Sequence, residues 1–136
     1  MDRKMLSLGA FLGVTSVILG AFGAHGLKEL VLNEQLVSFE TGVRYQMYHA
    51  LFLLVLGSTK IVSDKTKQAI FYLVLFGVLF FSGSIYGLAT NNLTAFNFKT
   101  VAFITPVGGL LLIISWALLL VNFLKNKTDI SKNLGA

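Results

Sequence analysis

From Met5 to Ala24 the chain runs 20 residues without a charged side chain. Three more windows of this kind follow: Tyr45–Thr59, reaching about residue 62 if Lys60 snorkels to the headgroups; about 68–90; and about 101–124, between Lys99 and Lys125. At 1.5 Å rise per residue, about 20 apolar residues cross a hydrocarbon core of ~30 Å. Backbone groups in lipid have to bond within the segment, so each window is expected to be a helix. The expected fold class is therefore all-α: an integral membrane four-helix bundle forming a single domain over residues 1–136, with spans at about 5–24, 45–62, 68–90 and 101–124.

Composition agrees with a lipid solvent. The chain is 55% hydrophobic and 12% charged, against about 25% charged in soluble domains. Its net charge of +5 comes from basic residues in the gaps between apolar runs. That placement is membrane topology, and it excludes nucleic acid as the expected partner in favour of the lipid bilayer. The absence of cysteine rules out disulfides, Cys-ligated zinc and iron–sulfur clusters.

Arg3, Lys4, Lys60, Lys65, Lys67, Lys125, Lys127 and Lys132 collect on one side of the bundle, and Lys28, Arg44 and Lys99 on the other. The positive-inside rule then places both termini in the cytoplasm, in a plasma (inner) membrane. Ala21-Phe22-Gly23 resembles a signal cleavage site, but the apolar run before it is longer than a signal core.

Residues 27–44 differ from the spans. Leu36, Phe39 and Val43 share one helical face among Glu34, Gln35 and Glu40, an amphipathic pattern. This segment either lies on the outer interface or lengthens span two, with Asn33 as N-cap. Residues 125–136 form a polar tail.

Small residues mark the expected packing faces, because helices in lipid associate by close approach. Span one carries Gly9, Gly13, Ser16, Gly20 and Ala24; span three carries Gly77, Gly83 and Gly87; span four carries Gly108 and Gly109. Thr105-Pro106 reads either as cap and first residue of span four or as a kink in a longer helix.

Counted from the window ends, the polar residues converge on the outer leaflet. His25 ends span one; Tyr45, Gln46, Tyr48 and His49 open span two; Ser82, Ser84 and Tyr86 sit in the outer half of span three; Thr105 opens span four. Interfacial polar groups need partners, so a structural role for His25 and His49 is the plain reading. Two histidines on adjacent helices also meet the minimum for a haem or metal, although no carboxylate lies deep in a span and no metal site is assigned. Proton transfer is the third reading. Tyr45 and Tyr48 suit an aromatic belt. Trp116 reads as packing, with an indole N–H that wants an acceptor.

GAFGAHGLK at Gly20–Lys28, YQMYHAL at Tyr45–Leu51, FSGSIYGLA at Phe81–Ala89 and ITPVGGLLLIISW at Ile104–Trp116 resemble the signature blocks of the domain-of-unknown-function 423 family. Its members are small bacterial inner-membrane proteins, similar to transmembrane protein 256 of eukaryotes. The resemblance covers nearly the whole chain. It implies a multi-span membrane protein and carries no activity.

The functional expectation is a non-enzymatic accessory subunit or binding module, without catalytic residues. It would engage a membrane partner, itself or a lipid-like ligand through His25, Tyr45, Gln46, His49, Ser82, Ser84, Tyr86 and Thr105. A transporter or channel acting as an oligomer and a haem- or metal-binding redox protein are the alternatives. No span carries a buried acid or base to favour transport.

Overall fold

The structure is a computed structural model that describes residues 1–95 and 97–135, the side chains of 127–134 excepted. Four helices account for most of it: α1 (Asp2–Ala24), α2 (Asn33–Ser58), α3 (Asp64–Ala89) and α4 (Ile104–Leu134). No strand occurs among the described residues. α1, α3 and α4 are long and apolar enough to cross a membrane. α2 has 26 residues, as many as α3, and its lower hydropathy follows from Glu34, Glu40 and Arg44 in its first half.

α2 and α3 are the inner pair; α1 packs along α2, and α4 along α3. Gly9 lies beside Ala50 and Leu54, Gly20 beside Val43, and Gly23 beside Phe39, so α1 and α2 are antiparallel. Asp2 meets Lys67 at the start of α3, which makes α1 and α3 parallel. Asn122 of α4 bonds Thr66 at that same end, so α4 is antiparallel to α3. The start of α1 and residues 122–126 of α4 therefore share one end of the bundle.

The core has two parts. Met5, Leu53, Ile70, Val74 and Leu112 belong to the larger cluster. Leu27, Phe39 and Ala89 form the smaller one near the His25 end, with Leu36 and Val43 packed against it. The amphipathic face expected in 27–44 is thus buried against α1 and α3. Of the two readings of that segment, the lengthened helix is the one observed: a 3-10 turn at Leu27–Glu29 precedes a helix continuous from Asn33. Asn33 is its first helical residue rather than its cap. Leu32 caps the helix instead, and its N–H donates to Gln35 Oε1 at 3.0 Å. The expected span of 45–62 is shifted, since α2 ends at Ser58. Ser63 then caps α3, its Oγ accepting from Thr66 N.

Thr90 to Phe103 holds two short 3-10 turns before α4 starts at Ile104. Pro106 therefore sits in the first turn, where a missing N–H costs nothing. It marks a helix start and not a kink, with Thr105 already inside the helix rather than capping it. α4 continues through the polar stretch to Leu134, and Ala136 lies outside the described residues.

The glycines divide. A Cβ on Gly108 would strike the Phe81 N and Phe80 C backbone atoms of α3, and one on Gly9 would come within 2.9 Å of Ala50 O. The Phe98 ring takes the space of a Gly87 side chain: an added Cβ would lie 2.5 Å from Phe98 Cδ1. A Cβ on Gly20 or Gly109 would make only ordinary contacts, at 3.5 Å. A Cβ on Gly13 or Gly83 would meet nothing within 4 Å, and Ala24 is exposed. The expected seams are therefore interrupted. Helix geometry explains this: a four-residue step drifts off the contact line once the axes cross. Gly42, Gly57 and Gly77 make close approaches of their own, to Tyr86, Leu6 and Leu112.

Candidate functional site

α2 carries polar side chains toward two sides of the bundle. Gln46, 4% exposed, faces α1 and α3. Its Nε2 donates to Leu12 O at 3.1 Å and to Thr15 Oγ1 at 2.7 Å. Its Oε1 accepts from Tyr86 Oη at 2.7 Å. Four residues earlier, Gly42 O accepts from Ser82 Oγ at 2.7 Å. These groups therefore tie three helices together. In lipid such bonds contribute roughly 0.6 kcal/mol each, up to about 1.7. Leu12, Thr15, Gln46 and Tyr86 border a groove of about 340 Å³ between α1 and α3.

His49, also 4% exposed, faces α4. Trp116 Nε1 donates to His49 Nε2 at 3.1 Å. An indole N–H only donates, so Nε2 holds the lone pair. The proton of the neutral ring then lies on Nδ1 and donates to Tyr45 O at 2.7 Å. Phe52 stacks on Trp116, with centroids 4.1 Å apart, and braces the pair. Both ring nitrogens of His49 are thereby engaged within the chain.

Beside this pair lies the larger groove, about 490 Å³, between α2 and α4 with Phe81 of α3 in its wall. Tyr45, His49, Gly109, Ile113 and Trp116 line the rest. Tyr45 is held by ring contacts to Phe81 and Tyr48, at 5.0 and 5.7 Å. Its hydroxyl has no hydrogen-bond partner among the described residues. An apolar trough with one free phenol can accommodate an apolar body and orient one acceptor group.

The expected outer-leaflet cluster is not one cluster. Gln46, Ser82 and Tyr86 join on the α1/α3 side, and Tyr45 and His49 lie on the α2/α4 side. Ser84 and Thr105 bond each other between α3 and α4. His25 stands apart, exposed at the end of α1, where its backbone N–H bonds Ala21 O and its ring has no hydrogen bond among the described residues. His49 lies level with the Gly9–Leu12 stretch of α1, through Ala50 and Gln46 beside it. Leu12 to His25 is about 20 Å at 1.5 Å per residue. The two histidines therefore cannot ligate one iron within a single chain. No group of three or more His, Cys, Asp or Glu side chains is gathered among the described residues.

Sequence reasoning missed Thr15 and the part played by Trp116. Thr15 gave one signal, a hydroxyl beside Ser16 within an otherwise apolar run. Trp116 signalled only that its N–H needed an acceptor.

Fold and grooves define a helical, multi-pass membrane protein with internal polar ties and a lateral apolar trough. A family profile described as "Protein of unknown function (DUF423)" matches residues 19–109, and the chain belongs to this family. It is 39% identical over 123 residues to a "UPF0382 membrane protein" of Staphylococcus epidermidis, covering 90% of this chain and 97% of the relative. It is 38% identical over 125 residues to the "UPF0382 membrane protein YwdK" of Bacillus subtilis, covering 90% and 98%. It is 36% identical over 130 residues to the "UPF0382 inner membrane protein YgdD" of Escherichia coli, covering 93% of each. No solved structure matches the chain at a significant level. The membrane setting expected from the apolar runs agrees with these relatives.

Proposed function

We propose that this chain is a non-enzymatic binding module of the plasma (inner) membrane that holds a lipid-like ligand in the groove between α2 and α4. The observation that carries this reading is the unpaired Tyr45 hydroxyl beside an apolar cavity of about 490 Å³. The ligand class that fits is an apolar chain or ring bearing a carbonyl or ester that accepts from Tyr45. His49 and Trp116 shape the wall by holding each other, so they set the groove's width rather than contact chemistry.

In the bilayer we read four crossings. α1 and α3 run parallel, so α2 has to return the chain between them; its outer half is amphipathic because α1 and α3 cover one face. The basic end, with Arg3, Lys4, Lys60, Lys65, Lys67 and Lys125, faces the cytoplasm together with both termini.

Native mass spectrometry of gently solubilised protein tests the ligand. Wild type should retain one hydrophobic molecule. Gly109→Leu should lose it, because its side chain enters the groove while its Cβ meets only Phe81, at 3.5 and 3.7 Å. Tyr45→Phe should weaken retention about fivefold to tenfold, the loss of one hydrogen bond of roughly 1–1.5 kcal/mol. Ligand-free wild type, or equal retention in Gly109→Leu, would remove the proposal.

A further inference from the structure

The end of the bundle away from His25 carries a second kind of cavity. It measures about 410 Å³ and is polar where the grooves are apolar. The start of α1, the turn after α2 and the start of α3 enclose it, through Asp2, Arg3, Lys60, Ser63, Asp64 and Lys67.

Its charges are unevenly used. Lys67 is 1% exposed, and its ammonium donates to Asp2 Oδ1 at 2.6 Å and to Thr59 O. Lys60 donates to the other oxygen, Asp2 Oδ2, also at 2.6 Å, while its side chain stays 87% exposed. One carboxylate thus serves two ammonium groups, and Lys67 is buried with two of its three N–H donors bonded. Arg3 is exposed and has no hydrogen bond or ion pair among the described residues. Three side-chain cations and the Met1 ammonium face two carboxylates, Asp2 and Asp64, which leaves positive charge in excess, with the spare accessible N–H donors on Arg3 and Lys60.

Depth narrows what can answer that charge. Asp2 and Arg3 stand immediately ahead of the uncharged run from Met5, and Lys60 to Lys67 bracket the gap between two apolar stretches. Phosphate is the anionic group that a bilayer supplies at this level. A phosphodiester carries one negative charge and two free oxygens, which offsets part of the excess and gives Arg3 and Lys60 one acceptor each.

We propose that this cavity binds the phosphate of an anionic phospholipid headgroup, with Arg3 and Lys60 as its donors. The site is independent of the α2/α4 groove and lies at a different depth. Asp2 and Lys67 form the fixed floor, so the two donors can be removed without breaking the buried pair.

Native mass spectrometry of the full chain in detergent tests this, with phosphatidylglycerol, phosphatidylethanolamine and inorganic phosphate as probes. Phosphatidylglycerol should be retained over phosphatidylethanolamine by at least about fivefold. Arg3→Ala and Lys60→Ala should each lower its retention about fivefold, and the pair about 25-fold; Arg3→Ala should leave the melting midpoint unchanged, whereas Lys60→Ala lowers it slightly because Lys60 also pairs with Asp2. Lys125→Ala removes a cation outside the cavity and should stay within about twofold. Gly109→Leu should leave phosphatidylglycerol retention alone, which separates failure here from failure of the groove. Equal retention of the two lipids would overturn the proposal, as would an effect of Lys125→Ala equal to that of Lys60→Ala. Displacement of the lipid by equimolar inorganic phosphate would reassign the site to free phosphate and overturn the headgroup.

Discussion

The groove between α1 and α3 and the groove between α2 and α4 both run along the side of the bundle, and both take polar side chains from α2. They differ in how those polar groups are used. On the α1/α3 side, Gln46 meets Leu12 O, Thr15 and Tyr86, so the hydrogen-bonding capacity is consumed by ties between helices. On the α2/α4 side, His49 is satisfied by Trp116 and Tyr45 O, and the Tyr45 hydroxyl has no partner among the described residues beside a larger cavity. A polar residue inside a membrane bundle is therefore weak evidence for a site until its partners are known. The first groove is lined by groups already used between helices; the second is the one on which the proposed ligand site rests.

The comparison can be broken most severely at the α3–α4 crossing that shapes the second groove. Gly108→Leu should destabilise by about 3 kcal/mol or more, because its Cβ has only backbone to meet. Denaturant titration in micelles measures this, and a change below about 1 kcal/mol would mean the close approach is not real. Next comes Gln46→Leu, which removes three hydrogen bonds and should cost roughly 2 kcal/mol without affecting ligand retention. A ligand effect there would erase the distinction between the grooves. Trp116→Phe and His49→Phe should each cost about 1 kcal/mol, and a double-mutant cycle should return a coupling of roughly 0.6–1.7 kcal/mol. Gly13→Ala should be neutral or slightly stabilising, by up to about 1 kcal/mol, since its Cβ enters open space.

The basic end adds a prediction in pH. The hydrogen bonds from Lys60 and then Lys67 hold the Asp2 carboxyl down to about 2, from an ordinary 3.8. A depressed carboxyl contributes stability that is present above its ordinary value and lost as pH falls through about 2. The melting midpoint should thus be flat from neutral pH to about 4 and fall below it, with the fall absent in Asp2→Asn. Asp2→Asn should also lower the midpoint at neutral pH, because Lys67 is left buried without its counter-charge. Lys67→Met should be tolerated better than Asp2→Asn, since an apolar side chain of similar length needs no partner.

Much of the fold was legible because lipid leaves few choices. The uncharged runs match α1 and α3 to within four residues, whereas α4 runs on through the polar stretch to Leu134, and the amphipathic pattern of 27–44 falls on a 3-10 turn followed by the first part of α2. The site was less legible. Span two appeared to open at Tyr45, where the charges stop, but α2 starts twelve residues earlier, at Asn33. Depth counted from Tyr45 therefore put His49 near the interface beside His25, whereas it packs near the middle of α1. The division of Gln46 and His49 between two grooves was hidden for another reason. They lie three residues apart and look like neighbours on one helix face; only the positions of α1, α3 and α4 around α2 decide which way each is used.

Trp116 is the only tryptophan in the chain and lines the α2/α4 groove, so its emission reports on the groove directly. Titrating the detergent-solubilised protein with an inner-membrane lipid extract is the most direct test of the ligand-binding account. A saturable change in Trp116 emission, present in wild type and absent in Gly109→Leu, is the predicted result. A linear, non-saturating change that is the same in both proteins would contradict it.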